Sequence, residues 1–365
     1  MRLLYITNGI NGSGGLERVL SIKASFLAEH YGYEVTVLSL NDNHVNPFYA
    51  FSDKIKMCSI AVKGNPVQYV NSYINGVKKI VASVRPDAIL VCDDGLKAFF
   101  IPKILRSGIP IIYERHVSKL IEMRHDLSLL KRIAIRAKWK AMEYLASDFE
   151  KFVVLTEGNT NEWTTLQNMQ VISNPLPFYP ENSSALDQKK VIVVGRQAYQ
   201  KGYDLLLLAW KMVVEQHPEW QLEIYGKKDV SQNLESLADT LGITENVSFL
   251  DPDKNIKQKY LESSIYVMSS RFEGFGMVLI ESMACGVPCV SFDCNYGPSD
   301  IIQNGIDGYV VENGNIEALA SAIVTLIEDE SLRKTMGVKA KDNVQRYLPE
   351  AIVKQWDQLF KALHR

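Results

Sequence analysis

At 365 residues the chain is longer than one hydrophobic core usually supports and comfortable for two domains. Apolar residues make up 47% of it and charged residues 22%, a globular balance that excludes a disordered or fibrous protein. The formal net charge of -2 supplies no global field for nucleic acid, so none is expected as a partner.

The chain opens with MRLLYITNG, which has neither the apolar core nor the cleavage site of a secretory signal and reads as a buried strand. No run approaches the roughly 20 apolar residues of a spanning helix, and a cytoplasmic location is expected. Cys58, Cys92, Cys285, Cys289 and Cys294 are an odd set without CxxC or His/Cys pairing in the sequence. They are expected as reduced core thiols, with no metal site.

Short β-branched runs then alternate with amphipathic segments. RLLYIT (2–7), EVTVLSL (34–40), AILVC (88–92), PIIYE (110–114) and KFVVLT (151–156) are predicted strands, with helices over 16–30 and 66–84. The first strand runs into NGINGSGGLERVL (8–20), where glycines let backbone N–H groups approach a phosphate at a helix start. The spacing misses the dinucleotide fingerprint: after Gly12 and Gly14, Glu17 stands where a third glycine belongs. A flexible turn and a phosphate loop both fit; an NAD site fits poorly.

The segment SLLKRIAIRAKWK (128–140) carries Lys131, Arg132, Arg136, Lys138 and Lys140 with no acid, interleaved with Leu129, Leu130, Ile133, Ile135 and Trp139. It suits a helix on an anionic membrane surface, and equally a solvated helix packing its apolar side on its own domain.

VISNPLPFYPENSSALDQKK (171–190) holds three prolines with Asn, Ser and Asp and is the best linker candidate. The strand–helix pattern then restarts with VIVVG (191–195), LEIYG (222–226), VSFL (247–250), IYVMSS (265–270) and PCVSF (288–292). The expected architecture is therefore α/β, with two Rossmann-like domains. The boundaries are 1–173 for the N-terminal domain, 174–190 for the linker and 191–346 for the C-terminal domain. YLPEAIVKQWDQLFKALHR (347–365) closes the chain as an amphipathic helix.

In VIVVGRQAYQKGYDLLLLAW (191–210), Arg196 and Lys201 flank a polar loop between strand and helix, where two cations could neutralise a diphosphate or simply be solvated. RFEGFGMVLIESMACGVPCV (271–290) sets Glu273 and Glu281 eight residues apart. On one continuous helix they would stand about 12 Å apart, beyond the roughly 5 to 9.5 Å of paired glycosidase carboxylates. The glycines instead predict a strand, a turn holding Glu273, a helix holding Glu281 and a left-handed cap at Gly286. The N–H groups near Phe275, Gly276, Met277 and Val278 would then be free helix-start donors suited to phosphate, and each Glu suited to sugar hydroxyls. An exposed helix acid and an unemployed loop acid are the plain alternative.

Together, GGLERV, the NP of the linker, GR…KG and E-G-F-G-M-V-L-I-E-S-M-A-C-G-V-P-C-V resemble the family-four retaining nucleotide-sugar glycosyltransferases of the GT-B fold. GPSDII…NGIDGYVV (297–311) and the closing WDQLFKAL fit the same pattern, so the likeness spans nearly the whole chain. It implies two Rossmann-like domains whose parallel sheets face an inter-domain cleft. The acceptor would be bound mainly by the first domain and a nucleotide diphosphate-sugar, a UDP-sugar above others, mainly by the second, with the last helix crossing back to the first. It further implies that Arg196 and Lys201 stabilise the leaving diphosphate, Glu281 binds ribose and Glu273 contacts the transferred hexose or N-acetylhexosamine. His116, after PIIYERH, would sit beside that sugar, although a satisfied loop imidazole is the alternative. Gly14 and Gly15 would let backbone approach the diphosphate and the acceptor.

The implied reaction is front-face retention without metal or cofactor, the departing phosphate taking the acceptor proton. The implied acceptor is a glycan or lipid-linked molecule of envelope polysaccharide, lipopolysaccharide or glycoconjugate synthesis; the basic segment 128–140 separately raises the expectation of a protein peripheral on the inner leaflet. A sugar-nucleotide epimerase, a phosphorylase and an inactive nucleotide-sugar binding module are the competing classes. The phosphorylase lacks a motif for its cofactor lysine.

Overall fold

The computed structural model describes residues 1–12, 14–42, 47–123 and 127–364. Ser13 of the glycine loop and Arg365 at the end of the expected closing helix lie outside them. Met1–Pro177 together with the chain from Pro349 onward form one compact unit, and Phe178–Leu348 form another.

The sheet of the first unit contains β1 (Arg2–Thr7), β2 (Glu34–Leu40), β3 (Lys56–Ile60), β4 (Ala88–Cys92), β5 (Ile111–Glu114), β6 (Lys151–Val154) and β7 (Met169–Val171). Its seven strands run β3-β2-β1-β4-β5-β6-β7, all parallel. The second unit repeats the plan with β8 (Lys190–Val194), β9 (Gln221–Tyr225), β10 (Val247–Leu250), β11 (Ile265–Met268), β12 (Cys289–Asp293) and β13 (Gly308–Glu312). Their order is β10-β9-β8-β11-β12-β13, again all parallel. In each sheet the strand order reverses beside its first strand, between β1 and β4 and between β8 and β11. Loops leaving the carboxyl ends there diverge, and the crevice they leave is where doubly wound sheets bind ligands.

Three strands escaped the sequence reading: β3, β7 and β13. All are edge strands, and none buries a continuous apolar run; MQV of β7 is only half-buried along its length. A fully buried parallel strand advertises itself by such a run, and an edge strand does not.

The helix Pro66–Val84 begins and ends where its sequence predicts. Pro66 occupies the first turn, where its missing N–H costs nothing. Asn65 accepts from the Gln68 amide at 3.0 Å while the Gln68 side chain accepts from the Asn65 amide at 3.1 Å. The closing helix Pro349–Leu363 belongs to the first unit. Ile352, Val353, Trp356, Leu359 and Phe360 form one buried stripe at helical spacing, each contributing at most about 1.5–3 kcal/mol of burial. At its edge the Tyr33 hydroxyl donates to Asp357 at 2.6 Å.

The segment after Pro177 is built into the second unit. The Ser184 amide donates to the Cys285 carbonyl at 2.8 Å, and the buried Arg333 guanidinium donates to the Leu186 carbonyl at 3.0 and 3.1 Å. Among the described residues no helix is long and apolar enough to cross a membrane.

Candidate functional site

In the second unit the site grows from the loops that leave β8 and β11. After β8 the chain turns through Gly195 and Arg196, makes one tight turn at Tyr199–Lys201, and enters the helix Tyr203–Val214 through Gly202. Gly202 has φ +61°, and a Cβ there would stand 2.1 Å from the Ser269 carbonyl oxygen. Only glycine lets the two loops come this close.

The consequence is a direct pairing. Lys201 Nζ lies 2.8 Å from Glu273 Oε1, with both side chains largely buried. Ser270 Oγ donates to the same oxygen at 2.6 Å, and Gln200 Nε2 reaches Oε2 at 3.4 Å. The Glu273 backbone is pinned as well: its N–H donates to the Asn295 carbonyl at 2.8 Å, and its carbonyl accepts from the Tyr296 N–H at 3.0 Å. An acid and a cation expected to act separately thus form one unit.

The same loops are stapled by a contact that sequence reasoning missed. Arg271 donates to both carboxylate oxygens of Asp204, at 2.9 and 2.6 Å, and to the Tyr199 carbonyl at 2.9 Å. Burial works against the Asp204 carboxylate, but the bidentate guanidinium outweighs it and holds the carboxyl below its ordinary range. Arg271 lies two residues before the EGFG turn, and Asp204 two residues after the KG. Their adjacency to the motifs was the available signal.

The helix Met277–Ala284 starts at Gly276, whose φ is +97°. The amides of Met277 and Val278 have no intrahelical carbonyl behind them and form the positive end of the helix. At the other end Gly286, φ +72°, supplies the expected left-handed cap. Phe275 is buried, edge-on to Tyr347 at 5.5 Å between centroids. Glu281 is neither an exposed helix acid nor open to solvent: it is 2% exposed, and the Tyr260 hydroxyl donates to it at 3.3 Å. Arg196 is exposed and enters no ion pair among the described residues.

In the first unit His116 follows β5 and is largely buried, its Nε2 lying 3.4 Å from Glu114 Oε2. Gly14 caps the helix Gly15–His30 with φ -78°, so no left-handed backbone is involved. A Cβ on Gly14 would meet the Glu17 carboxylate at 2.6 Å, and one on Gly12 would meet it at 2.4 Å, whereas Gly15 has open space. The Glu17 carboxylate thus lies over Gly12 and Gly14 of this loop. The sequence also gave no sign that Cys92, Glu114 and His116 converge, with one donor atom from each within 4.8 Å of the others. Lys23 Nζ already donates to that glutamate. All five cysteines are free; Cys92, Cys285, Cys289 and Cys294 are buried, whereas Cys58 on the edge strand β3 is half-buried and not the core thiol expected.

Comparison with known proteins decides the family. Residues 178–343 match the family model described as glycosyl transferases group 1, starting where the second unit starts. The amylovoran biosynthesis glycosyltransferase AmsD of Erwinia amylovora is 33% identical over 371 residues, covering 98% of this chain and 99% of that protein. The chain belongs to the group 1 glycosyl transferases. Its fold is that of the GT-B glycosyltransferases. A mutant of S. aureus TarM, solved with fondaparinux, alpha-GlcNAc-glycerol and UDP, superposes with a TM-score of 0.80 at 17% identity over 99% of this chain and 100% of that one. Anabaena HepE, solved with UDP-glucose, gives 0.77 at 18% identity over 99% and 100%. In this glycosyltransferase, the residues that match the family model include the loop pair that joins Lys201 to Glu273.

Proposed function

We propose that the protein transfers a hexose or N-acetylhexosamine from a UDP-sugar to a glycan or lipid-linked acceptor in polysaccharide synthesis, with retention of anomeric configuration and without a metal. The observation that carries this reading is the Lys201–Glu273 pair at the carboxyl edge of the second sheet, next to the open helix start at Gly276. A leaving diphosphate gathers negative charge as its bond to the sugar breaks. Lys201, the exposed Arg196 and the amides of Met277 and Val278 are positive groups that can meet it, which is the work a metal ion does elsewhere. Glu273, held by Ser270 and Gln200, accepts from sugar hydroxyls, and Glu281 from the ribose. His116 is assigned to the transferred sugar.

In the proposed step the bond from the anomeric carbon to the phosphate oxygen breaks and one to the acceptor oxygen forms on the same face. The acceptor proton passes to the departing phosphate oxygen, so no enzymic base or nucleophile is required. Support comes from the relatives: alpha-GlcNAc-glycerol and UDP accompany TarM, UDP-glucose accompanies HepE, and amylovoran biosynthesis names the activity of AmsD.

A second part of the proposal concerns the membrane. The helix Leu129–Ala146 has no buried residue before Met142, and Leu129, Leu130 and Ile133 are 74%, 80% and 54% exposed beside Lys131, Arg136 and Lys140. We assign this face to anionic lipid, which would bring the enzyme to a lipid-linked acceptor.

The test is a panel of uridine and guanosine diphosphate sugars scored by thermal stabilisation, then by nucleoside diphosphate release with candidate acceptors in EDTA. Stabilisation by UDP-sugars and an alpha-linked product from an alpha-linked donor support the reading. Binding to no nucleotide sugar, an inverted product or a strict need for metal overturns it. Epimerised donor without transfer would select the epimerase.

A further inference from the structure

Behind His116 the first unit buries a charged pair that the proposed transfer does not use. Lys23 and Glu114 are 1% and 2% exposed, and Lys23 Nζ donates to Glu114 Oε2. The lysine comes from the helix Gly15–His30 and the glutamate from the end of β5. The ammonium is closed in by aromatic faces, 4.0 Å from the ring centre of Trp356 on the closing helix and 5.2 Å from that of Tyr5 on β1. Cys92 and Tyr5 are further ionisable neighbours of the carboxylate, and burial raises both well above their ordinary values, leaving them neutral. Glu114 Oε1 has no hydrogen-bond partner among the described residues.

A buried ion pair is a poor device for stability, since desolvating two charges cancels most of their attraction. Its position suggests another use. Oε2 is shared between Lys23 and His116, whose Nε2 stands 3.4 Å away. The His116 backbone amide is fixed independently by hydrogen bonding to Asp94, and Asp94 is engaged by Arg115 at 3.3 Å. Two carboxylates from the ends of adjacent strands therefore hold this residue, one by its backbone and one by its ring. A carboxylate beside an ammonium is an acceptor only, so the ring nitrogen facing it must be the protonated one. In the neutral imidazole the other nitrogen, Nδ1, is then an acceptor with a free lone pair.

We propose that Glu114 is a positioning residue for His116, with Lys23 as its buried counter-cation, fixing the Nε2–H tautomer so that Nδ1 is presented as the acceptor for a sugar hydroxyl. The use of Nδ1 rests on the assignment of His116 to the transferred sugar; the fixed tautomer does not. The three residues span helix, strand and loop, so the closing helix, through Trp356, covers the far end of the same arrangement.

The experiment is a long-range proton–nitrogen correlation on protein with 15N-labelled histidine, near about pH 8 where an ordinary imidazole is neutral. The His116 signals are identified by their loss in His116→Gln. Wild type is expected to show Nε2–H alone. Glu114→Gln by itself would strand a buried ammonium, so the comparison is the Lys23→Gln/Glu114→Gln double variant, which keeps two polar side chains of similar length without charge. It is expected to show a mixed tautomer, with kcat about 10-fold lower or more and donor KM within about 2-fold, the loss of one general positioning contact. An Nδ1–H signal in wild type, a measurement that needs no variant, overturns the proposal. So does an unchanged tautomer in a folded double variant. Wild-type turnover in His116→Gln would instead overturn the sugar assignment and leave the tautomer result standing.

Discussion

Lys201 Nζ and Glu273 Oε1 are 2.8 Å apart across two loops separated by 71 intervening residues, and Ser270 donates to the same carboxylate oxygen at 2.6 Å. The pair neutralises itself, and an arriving diphosphate would compete with Glu273 for the ammonium. Charge is thereby stored at the site without a counter-ion from solvent, and the lysine is already desolvated when the donor binds.

Lys201→Ala is expected to lower kcat by about 10²-fold or more, the usual effect of removing one preorganised charge contact. Lys201→Arg should recover part of that, since it keeps the charge and loses the point geometry. Nucleoside diphosphate release at saturating donor measures both. A near-normal rate in the alanine variant would remove Lys201 from the proposed role.

Gly202→Ala should destabilise the second unit by about 1–3 kcal/mol or more, the cost of a left-handed residue compounded by collision with the Ser269 carbonyl. Gly15→Ala is the control, since it opens a helix and meets nothing within 4 Å; it should stay within about 0.5 kcal/mol. Urea midpoints of the two variants compare them directly. Equal midpoints would mean that the close approach at Gly202 is not rigid.

How much of this was legible follows from where each residue sits. The buried strands, the helix Pro66–Val84 and the EGFG turn carry their own signals: apolar runs, a capping box, glycines at forced backbone angles. Lys201 and Glu273 were each visible beside such signals, yet their pairing was not, because it depends on how β8 and β11 neighbour each other. The pairing of Arg271 with Asp204 was invisible for the same reason. Glu17 was noted only as a spoiled glycine, and its folding over the loop is a side-chain event that spacing cannot encode. Glu114 and Lys23 look like an ordinary strand-end acid and an ordinary helix cation; only tertiary packing buries them together.

The acid limb of stability should report on Glu114. Burial alone would raise its carboxyl, but the Lys23 ammonium and the His116 hydrogen bond outweigh that and lower it from the ordinary 4.5 to about 2. A folded-state value below the unfolded one stabilises above the unfolded value, and that contribution disappears as pH falls from about 4.5 toward about 2. The wild type should therefore lose an advantage over the Lys23→Gln/Glu114→Gln variant on the order of a few kcal/mol between neutral and strongly acid pH. Asp204 and Asp357 are also lowered, but both remain in both proteins, so the difference isolates Glu114. Denaturant midpoints across that range test this; a difference that does not change with pH would reject it.

The helix Leu129–Ala146 offers the most direct test of the membrane assignment. Of its five cations Lys138 is engaged by Glu122, so the count read from the sequence overstates the charge available to lipid. Trp139 packs against the core of the first unit, as the packed-helix alternative expected, whereas Leu129, Leu130 and Ile133 are exposed. Each exposed cation near an anionic surface contributes about 1 kcal/mol. Reversing Lys131, Arg136 and Lys140 to glutamate should thus lower flotation with phosphatidylglycerol vesicles by about 10²-fold or more. Leu129→Ser/Leu130→Ser should weaken binding further at high salt, where the apolar contribution is left. Binding of wild type should also fall as salt rises through the screening range. Equal recovery of wild type and the charge-reversed variant, with anionic and with neutral vesicles, would return this face to plain solvent and leave the acceptor to be met without lipid.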